Sequence, residues 1–224
     1  MEANTGKQEV VRIIQKLSGK HSPYVIFYDF CKMFSISIAN ACTIRHDEVW
    51  QKREDAYVEV AKKYTEEEMV QFIELKEHLI EAFEEEMGDV LGEIYMESGA
   101  GNKSTGQFFT PFHVSEAVAA MVVPEVVAEE TPYRMHEPSS GSGGMIVAAA
   151  KIIRDRDLNY QKCMKVVAQD LDWLAVYMCY IQLSMYGIDA IVVQGDSLCD
   201  PYHKGYPEER VFRTPRNAGA LIAM

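Results

Sequence analysis

The sequence His136-Glu-Pro-Ser-Ser-Gly-Ser-Gly-Gly144 decides how the second half of this chain folds. It joins a short strand-like stretch, Tyr133 to His136, to an apolar stretch from Met145 to about Arg154 that has the character of a helix. A glycine-rich turn between a strand and a helix lets a ligand approach the backbone closely, and it leaves N–H groups of the helix N-terminus free. We therefore expect a ligand-binding strand–turn–helix unit here.

Two more strands follow this unit. Met164 to Ala168 predicts a second strand, Trp173 to Tyr186 a second helix, and Ala190 to Val193 a third strand. Strands that alternate with helices at this spacing indicate a parallel sheet with right-handed crossovers. The expected fold class is therefore an α/β, Rossmann-like sheet.

An acid stands at the end of each predicted strand. Glu137 follows the first strand, Asp170 the second and Asp196 the third. In such a sheet the ligand lies outside the carboxyl ends of the strands. A carboxylate at the second strand is placed to accept hydrogen bonds from two ribose hydroxyls, and one at the third can accept from an exocyclic amine such as adenine N6. The three loops together predict a nucleoside-containing ligand.

Three other ligand and catalytic motifs do not match the glycine-rich turn. Ile146 occupies the third glycine position of G-x-G-x-x-G, which disfavours a nicotinamide or flavin cofactor. The chain has no Gly-Lys-Ser or Gly-Lys-Thr, so the turn is not a P-loop. Ser142 has Ser140 rather than glycine two residues before it, so the turn is not a nucleophile elbow.

The first 98 residues are predicted to be helical throughout. Ser22 before Pro23 is a typical helix start. A continuous apolar stripe runs along the acidic stretch from Thr65 to Glu97; it consists of Met69, Phe72, Ile73, Leu79, Ile80, Phe83, Met87, Val90, Leu91 and Ile94. The linker from Ser98 to Gly106, rich in glycine and serine, divides the chain into a helical domain, residues 1–98, and a partial sheet domain, residues 99–224.

The acidic charge of the chain belongs to one segment. The chain has 34 acids and 22 bases, a net charge of −12, and the stretch from Thr65 to Glu97 alone carries twelve acids against one base, Lys76. The five cysteines include no C-x-x-C pair, so we expect free thiols rather than disulfides or a zinc site. No apolar run is long enough to span a bilayer and no secretory signal is visible, so we expect a cytoplasmic protein without a membrane partner.

Four motifs resemble, in order, those of the methylation subunit of type I restriction-modification systems and of related adenine-N6 DNA methyltransferases. They are Thr105-Gly-Gln-Phe-Phe-Thr-Pro111, Glu137-Pro-Ser-Ser-Gly-Ser-Gly-Gly144, Gln169-Asp170 and Gly195-Asp-Ser-Leu198. The stretch Asp89-Val-Leu-Gly-Glu-Ile-Tyr95 also resembles the helical N-terminal region of that family. The resemblance covers about residues 85 to 200, and Glu137 replaces the aspartate usual in the family.

The resemblance implies S-adenosylmethionine as cofactor. Thr110 and Pro111 border its methionine end, the segment from Glu137 to Gly143 wraps it, Asp170 holds the ribose and Asp196 faces the adenine. The implied cofactor-binding set is Thr110, Pro111, Glu137, Pro138, Ser140, Gly141, Ser142, Gly143, Asp170, Leu171, Asp196, Ser197 and Leu198.

The sequence departs from the family at the catalytic motif. Adenine-N6 methyltransferases use an Asn/Asp-Pro-Pro-aromatic turn after the fourth strand, and the chain contains only Asp200-Pro201-Tyr202, directly after the third. We therefore assign no catalytic residue. The open alternatives are a DNA methyltransferase that needs further sequence or partner subunits, a non-catalytic sensor or interaction module, and a methyltransferase for a substrate other than DNA.

The sequence also leads us to expect partners. The family resemblance implies DNA, reached through a larger complex, and a specificity subunit. Because the first strand would lie beside an unfilled half of the sheet, either the tail from Ala218 to Met224 adds there as a strand or another chain covers the edge. A homodimer or hetero-oligomer is expected.

Overall fold

The computed structural model describes residues 5–101 and 109–219. The first range is helical, as predicted. It contains α1 (Gly6–Leu17), α2 (Pro23–Ala41), α3 (Glu48–Ala61), α4 (Glu66–Glu85) and α5 (Val90–Glu97). None of the helices in the described ranges is both long and apolar enough to cross a membrane.

Polar caps start these helices where the sequence indicates. The Ser22 hydroxyl accepts a hydrogen bond from the Val25 N–H at 3.3 Å, with Pro23 as the first helical residue. At α4 the Thr65 hydroxyl accepts from the Glu68 N–H, and the Glu68 carboxylate accepts from the Thr65 N–H. Such reciprocal caps satisfy N–H groups that have no partner within the helix, so the helix starts follow from local sequence.

The apolar stripe of the acidic stretch runs over two helices instead of one. The prediction of a continuous stripe is wrong at residues 86–89, because Glu86 adopts extended backbone and ends α4. Asp89 then caps α5 and directs it onto α9 (Trp173–Met185). Most stripe residues are buried, but Ile73 is 53% exposed and Leu75, omitted from the prediction, is fully buried.

The second range has the predicted alternation of strands and helices. Its elements are α6 (Phe112–Val122), β1 (Tyr133–Glu137), α7 (Gly144–Arg154), α8 (Tyr160–Cys163), β2 (Met164–Asp170), α9, β3 (Asp189–Gln194), β4 (Val211–Arg213) and α10 (Pro215–Ala218). The strands lie in the order β1-β2-β3-β4. The first three are parallel, as predicted, and Met135 pairs with Val166, which pairs with Ala190.

The fourth strand lies elsewhere than expected. We predicted at most one short strand within Thr214 to Met224, but β4 precedes Thr214 and runs antiparallel to β3, with Phe212 opposite Val192. Thr214 is fully buried instead, where its hydroxyl donates to the Ile188 carbonyl at 2.7 Å and so anchors α10. Residues 220–224 lie outside the described ranges.

One face of the sheet is covered better than the other. Val166, Ala168, Ala190 and Val192 point to the covered face and are buried. On the opposite face Arg134, His136 and Lys165 are exposed, and Val167 and Ile191 are half-buried. Gln169 and Val193, on the same face, are buried, so the described residues cover this face only in part.

The two parts of the chain share one hydrophobic core. Buried residues of α1 to α5 and of the sheet and its helices form a single cluster. Phe83 of α4, for example, packs edge-on against Tyr186, with ring centroids 5.2 Å apart. A domain boundary near residue 98 stays a prediction, and any such boundary would lie across a packed interface.

Candidate functional site

Hydrogen bonds hold the three strand-end loops together at the carboxyl edge of the sheet. The Gly141 N–H donates to the Asp170 carboxylate at 2.8 Å, and the Ser140 N–H donates to the Gln169 carbonyl at 3.1 Å. The Gly195 N–H donates to the Asp170 carbonyl at 2.9 Å. The loops after β1, β2 and β3 thus meet as the predicted parallel order requires.

The glycine-rich turn needs its glycines at two positions. Gly141 has φ of 53° and Gly143 has φ of 95°, in the left-handed region that side chains disfavour. A Cβ atom on Gly143 would also lie 3.2 Å from the Cys179 sulfur. The turn therefore lies directly on α9, and α7 begins behind it at Gly144.

A cavity of about 310 Å³ opens beside this turn. It is lined by Asp89, Phe109, Thr110, Ser115, Glu137, Ser139, Ser140, Gly141, Ser142, Gly144, Met145 and Asp170. Six of these were predicted as binding residues: Thr110, Glu137, Ser140, Gly141, Ser142 and Asp170. The described residues that line the cavity include three acids and no Lys, Arg or His.

Two of the predicted acids face the same cavity. Glu137 and Asp170 are both half-buried. Burial raises the pKa of the Glu137 carboxyl, and the negative charge of Asp170 adds to this shift, while a bond from the Ser139 N–H opposes it. Asp170 also accepts from the Asp172 N–H at 3.0 Å, so backbone donors orient both of its oxygens. These carboxylates offer acceptors for hydroxyl or ammonium groups.

The third predicted acid, Asp196, is not part of the described cavity lining. The Asp196 carboxylate is exposed and accepts from the Leu198 and Cys199 N–H groups of its own loop at 2.9 and 3.1 Å. These bonds lower the pKa of Asp196. Among the other predicted residues, Leu171 and Leu198 are 67% and 91% exposed, and Pro111, Pro138, Gly143 and Ser197 are outside the lining set.

The Asp200-Pro201-Tyr202 segment is held beside the second strand. Gln169 is fully buried; its Nε2 donates to the Asp200 carbonyl at 3.0 Å, and its Oε1 accepts from the Tyr202 N–H at 3.0 Å. The Asp200 side chain lies toward solvent, 3.5 Å from His203. None of the three residues lines the cavity among its described neighbours.

Asp89 is the acid of the cavity lining that sequence reasoning missed. It is 4% exposed, lines the cavity, and accepts hydrogen bonds from Ser142 Oγ at 2.7 Å and Gln182 Nε2 at 2.8 Å. Burial raises its pKa, although the bonds from Ser142, Gln182 and the Gly92 N–H oppose the shift. The sequence carries a signal for it, because Asp89 opens the Asp89-to-Tyr95 motif, although that motif indicates only a helical region.

One buried hydroxyl that lines the cavity has no partner among the described residues. Ser115 is 1% exposed and lines the cavity, yet its hydroxyl has no hydrogen-bond partner within the described part of the chain. Buried hydroxyls without partners are rare, so Ser115 indicates that a ligand or water completes the site. Residues 105–108 of the first motif lie outside the described ranges.

A parallel sheet with a glycine-rich turn and acids at its strand ends defines the class of Rossmann-like nucleoside-binding proteins. Within that class, residues 84–216 match the N-6 DNA Methylase family. The chain belongs to that family, whose methyl donor is S-adenosylmethionine. No curated protein matches the chain in sequence.

Two solved structures are similar to the chain. One, from Listeria monocytogenes, is assigned to the class I S-adenosylmethionine-dependent methyltransferases, with 13% identity, a TM-score of 0.43, and coverage of 88% of this chain and 55% of that one. The other is the methyltransferase subunit of a type I restriction-modification system from Streptococcus thermophilus, with 16% identity, a TM-score of 0.45, and coverage of 86% and 43%. The chain thus spans about half the length of each.

Proposed function

We propose that this chain is the S-adenosylmethionine-binding portion of an adenine-N6 DNA methyltransferase of the type I restriction-modification kind. The observation that carries the proposal is the cavity in which Glu137 and Asp170 flank the glycine-rich turn, within a chain of the N-6 DNA Methylase family. When bound, the cofactor supplies an electrophilic methyl group.

The residues of this chain would hold the cofactor rather than carry out the transfer. Asp170 accepts from the ribose hydroxyls, and the backbone of Gly141 to Gly143 permits close approach of the ligand. Thr110 and Pro111 border the methionine end, and Asp196 faces the adenine from its exposed loop. The loops after β2 and β3 supply further proposed contacts, from Leu171, Ser197 and Leu198.

Methyl transfer and DNA recognition require residues from elsewhere. The amine of adenine is a weak nucleophile, and the chain has no Asn/Asp-Pro-Pro-aromatic turn to activate it. We infer that further sequence or partner subunits, including a specificity subunit, provide that turn and the DNA contacts. The poorly covered sheet face and the outer edge of β1 favour such an assembly, which would act in the cytoplasm.

Isothermal titration calorimetry with S-adenosylmethionine tests the proposal. The parent chain is expected to bind, and Asp170→Ala to bind tenfold to a hundredfold more weakly, since a hydrogen bond to a charged group contributes about 1.5 to 3 kcal/mol. Asp155→Ala is the control, because Asp155 caps the far end of α7 and pairs with Arg154. Absence of binding by the parent, or equal binding by both variants, would contradict the assignment.

A second candidate is a cofactor-binding sensor or interaction module that does not methylate. The absence of the amine-activating turn in this sequence favours it. Both candidates require the same cofactor site, so they differ only in whether added partners restore methyl transfer. A methyltransferase for another substrate has no observation of its own in this structure.

A further inference from the structure

The buried Asp89 carboxylate connects three parts of the molecule. Its Oδ2 accepts from Ser142 Oγ of the glycine-rich turn, and its Oδ1 accepts from Gln182 Nε2 of α9 and from the Gly92 N–H of α5. Gln182 also donates to the Ser142 carbonyl at 2.6 Å and accepts from the Leu91 N–H at 3.1 Å. This network fixes the position of Asp89 against the turn.

Asp89 and Asp170 mark opposite ends of the turn. Asp170 binds the N–H of Gly141, where the turn begins. Asp89 binds Ser142, and a Cβ atom on Gly144 would lie 2.9 Å from its Oδ2, so Asp89 lies where α7 begins. A ligand whose ribose is held by Asp170 and whose adenine faces Asp196 would therefore present its methionine part to the region that Asp89 lines.

The described lining of the cavity contains no base to offset the negative charge that Asp89 carries when it is ionised, and burial raises the pKa of this carboxyl. Among the described residues, Glu93 acts on Asp89 with a charge of the same sign, and Glu93 itself pairs with Lys7 at 2.5 Å. The cavity lining adds Glu137 and Asp170. A buried charge interacts more strongly than an exposed one because its surroundings have a lower effective dielectric constant. A cationic ligand would relieve this excess of negative charge.

We propose that Asp89 makes this cavity selective for the charged sulfonium form of the cofactor over the neutral thioether that remains after methyl transfer. The inference rests on the proposed function, since it requires that the cofactor bind here. Asp89 thus has two roles: it positions Ser142 in the turn, and it supplies the negative charge that favours loading of the donor and release of the product.

The test compares three probes by calorimetry. S-adenosylmethionine and sinefungin both carry a positive charge near the reacting centre, whereas S-adenosylhomocysteine has a neutral sulfur there. The proteins are the parent chain, Asp89→Asn, Ser142→Ala and, as control, Asp29→Asn. Asp29 is another buried carboxylate, hydrogen-bonded by Lys63 and Tyr64, but it is not part of the cavity lining.

We expect Asp89→Asn to weaken both cationic probes about tenfold while changing S-adenosylhomocysteine less than twofold. Ser142→Ala should weaken all three equally, and Asp29→Asn should change none. If Asp89→Asn weakens all three probes equally, Asp89 has only a positioning role and the proposal is overturned. The proposal is also overturned if Asp89→Asn changes the affinity for none of them. If the parent chain binds none of the three probes, the proposed function itself is contradicted, and the role of Asp89 falls with it.

Thermal unfolding monitors the fold of each variant. If Asp89→Asn does not fold, Asp89→Ser is measured in its place, because serine is also a favourable N-cap and is neutral. The ratio of the affinities for the cationic probes and for S-adenosylhomocysteine then decides the outcome. Loss of the preference for cationic probes supports the proposal, and an unchanged preference contradicts it.

Discussion

At the scale of single residues, the site depends on close approach between backbone and side chains. Gly144 begins α7 and faces the Asp89 carboxylate, whereas Gly19 lies in a turn where a Cβ atom would meet nothing within 4 Å. Neither has the positive φ of Gly141 and Gly143. Gly144 is therefore required for steric reasons alone, whereas Gly19 meets neither a steric nor a conformational requirement.

We expect Gly144→Ala to lower the free energy of unfolding by about 1 to 3 kcal/mol, because the new methyl group must displace Asp89 or α7. Gly19→Ala is the matched control and should be neutral or stabilise slightly, since alanine reduces the freedom of the unfolded chain. Urea denaturation followed by circular dichroism measures both. If the two substitutions change the free energy of unfolding equally, Asp89 moves away from the new methyl group without cost.

At the scale of elements, α4 shows how an acidic helix is held by its apolar side. Phe83 is 7% exposed and contacts Tyr186, while the neighbouring Glu84 is exposed. Glu85 looks equivalent to Glu84 in sequence, but its Oε1 accepts from the Gly6 N–H at 2.7 Å and so stabilises the start of α1. Adjacent glutamates on one helix can therefore differ in their structural role.

Phe83→Ala should cost about 3 to 5 kcal/mol of stability because it leaves a cavity under α4. Glu84→Lys should change stability by no more than about 1 kcal/mol, as exposed charges contribute little. Guanidinium titrations of the two variants provide the measurement. If both substitutions have equal, small effects, Phe83 is not part of the shared core.

At the scale of the whole molecule, the described sheet is well covered on one side and only partly covered on the other. Arg134, His136 and Lys165 lie on the partly covered face, and α6 also exposes Met121 and Val122. Exposed strand edges and apolar surface of this kind favour association with other polypeptide. The net charge of −12 does not favour DNA, and most of it lies on α4 and α5 rather than on the sheet.

The chain alone is therefore expected not to methylate DNA at a measurable rate. Transfer of a radiolabelled methyl group to unmethylated genomic DNA provides the measurement, with size-exclusion chromatography to report association. Turnover only after a partner is added would support the subunit interpretation. Turnover by the chain alone, abolished by Asp200→Ala, would show that Asp200-Pro201-Tyr202 is catalytic.

Local sequence determined the secondary structure of this protein and much of its site. Caps such as Ser22 and Thr65 act within one turn of helix, and strand–helix alternation specifies a parallel sheet, so both could be predicted. The order of the strands then brings Glu137 and Asp170 to one edge, as their positions in sequence indicate.

Only the tertiary structure decided which acids share the cavity. Asp196 satisfies its carboxylate within its own loop, whereas Asp89, 48 residues before Glu137, reaches the glycine-rich turn because α5 packs on α9. That contact depends on the break at Glu86 and on the burial of Gln182. Burial and packing over such separations arise from the whole core, and for that reason the Asp89-to-Tyr95 motif indicates a helix without revealing what Asp89 contacts.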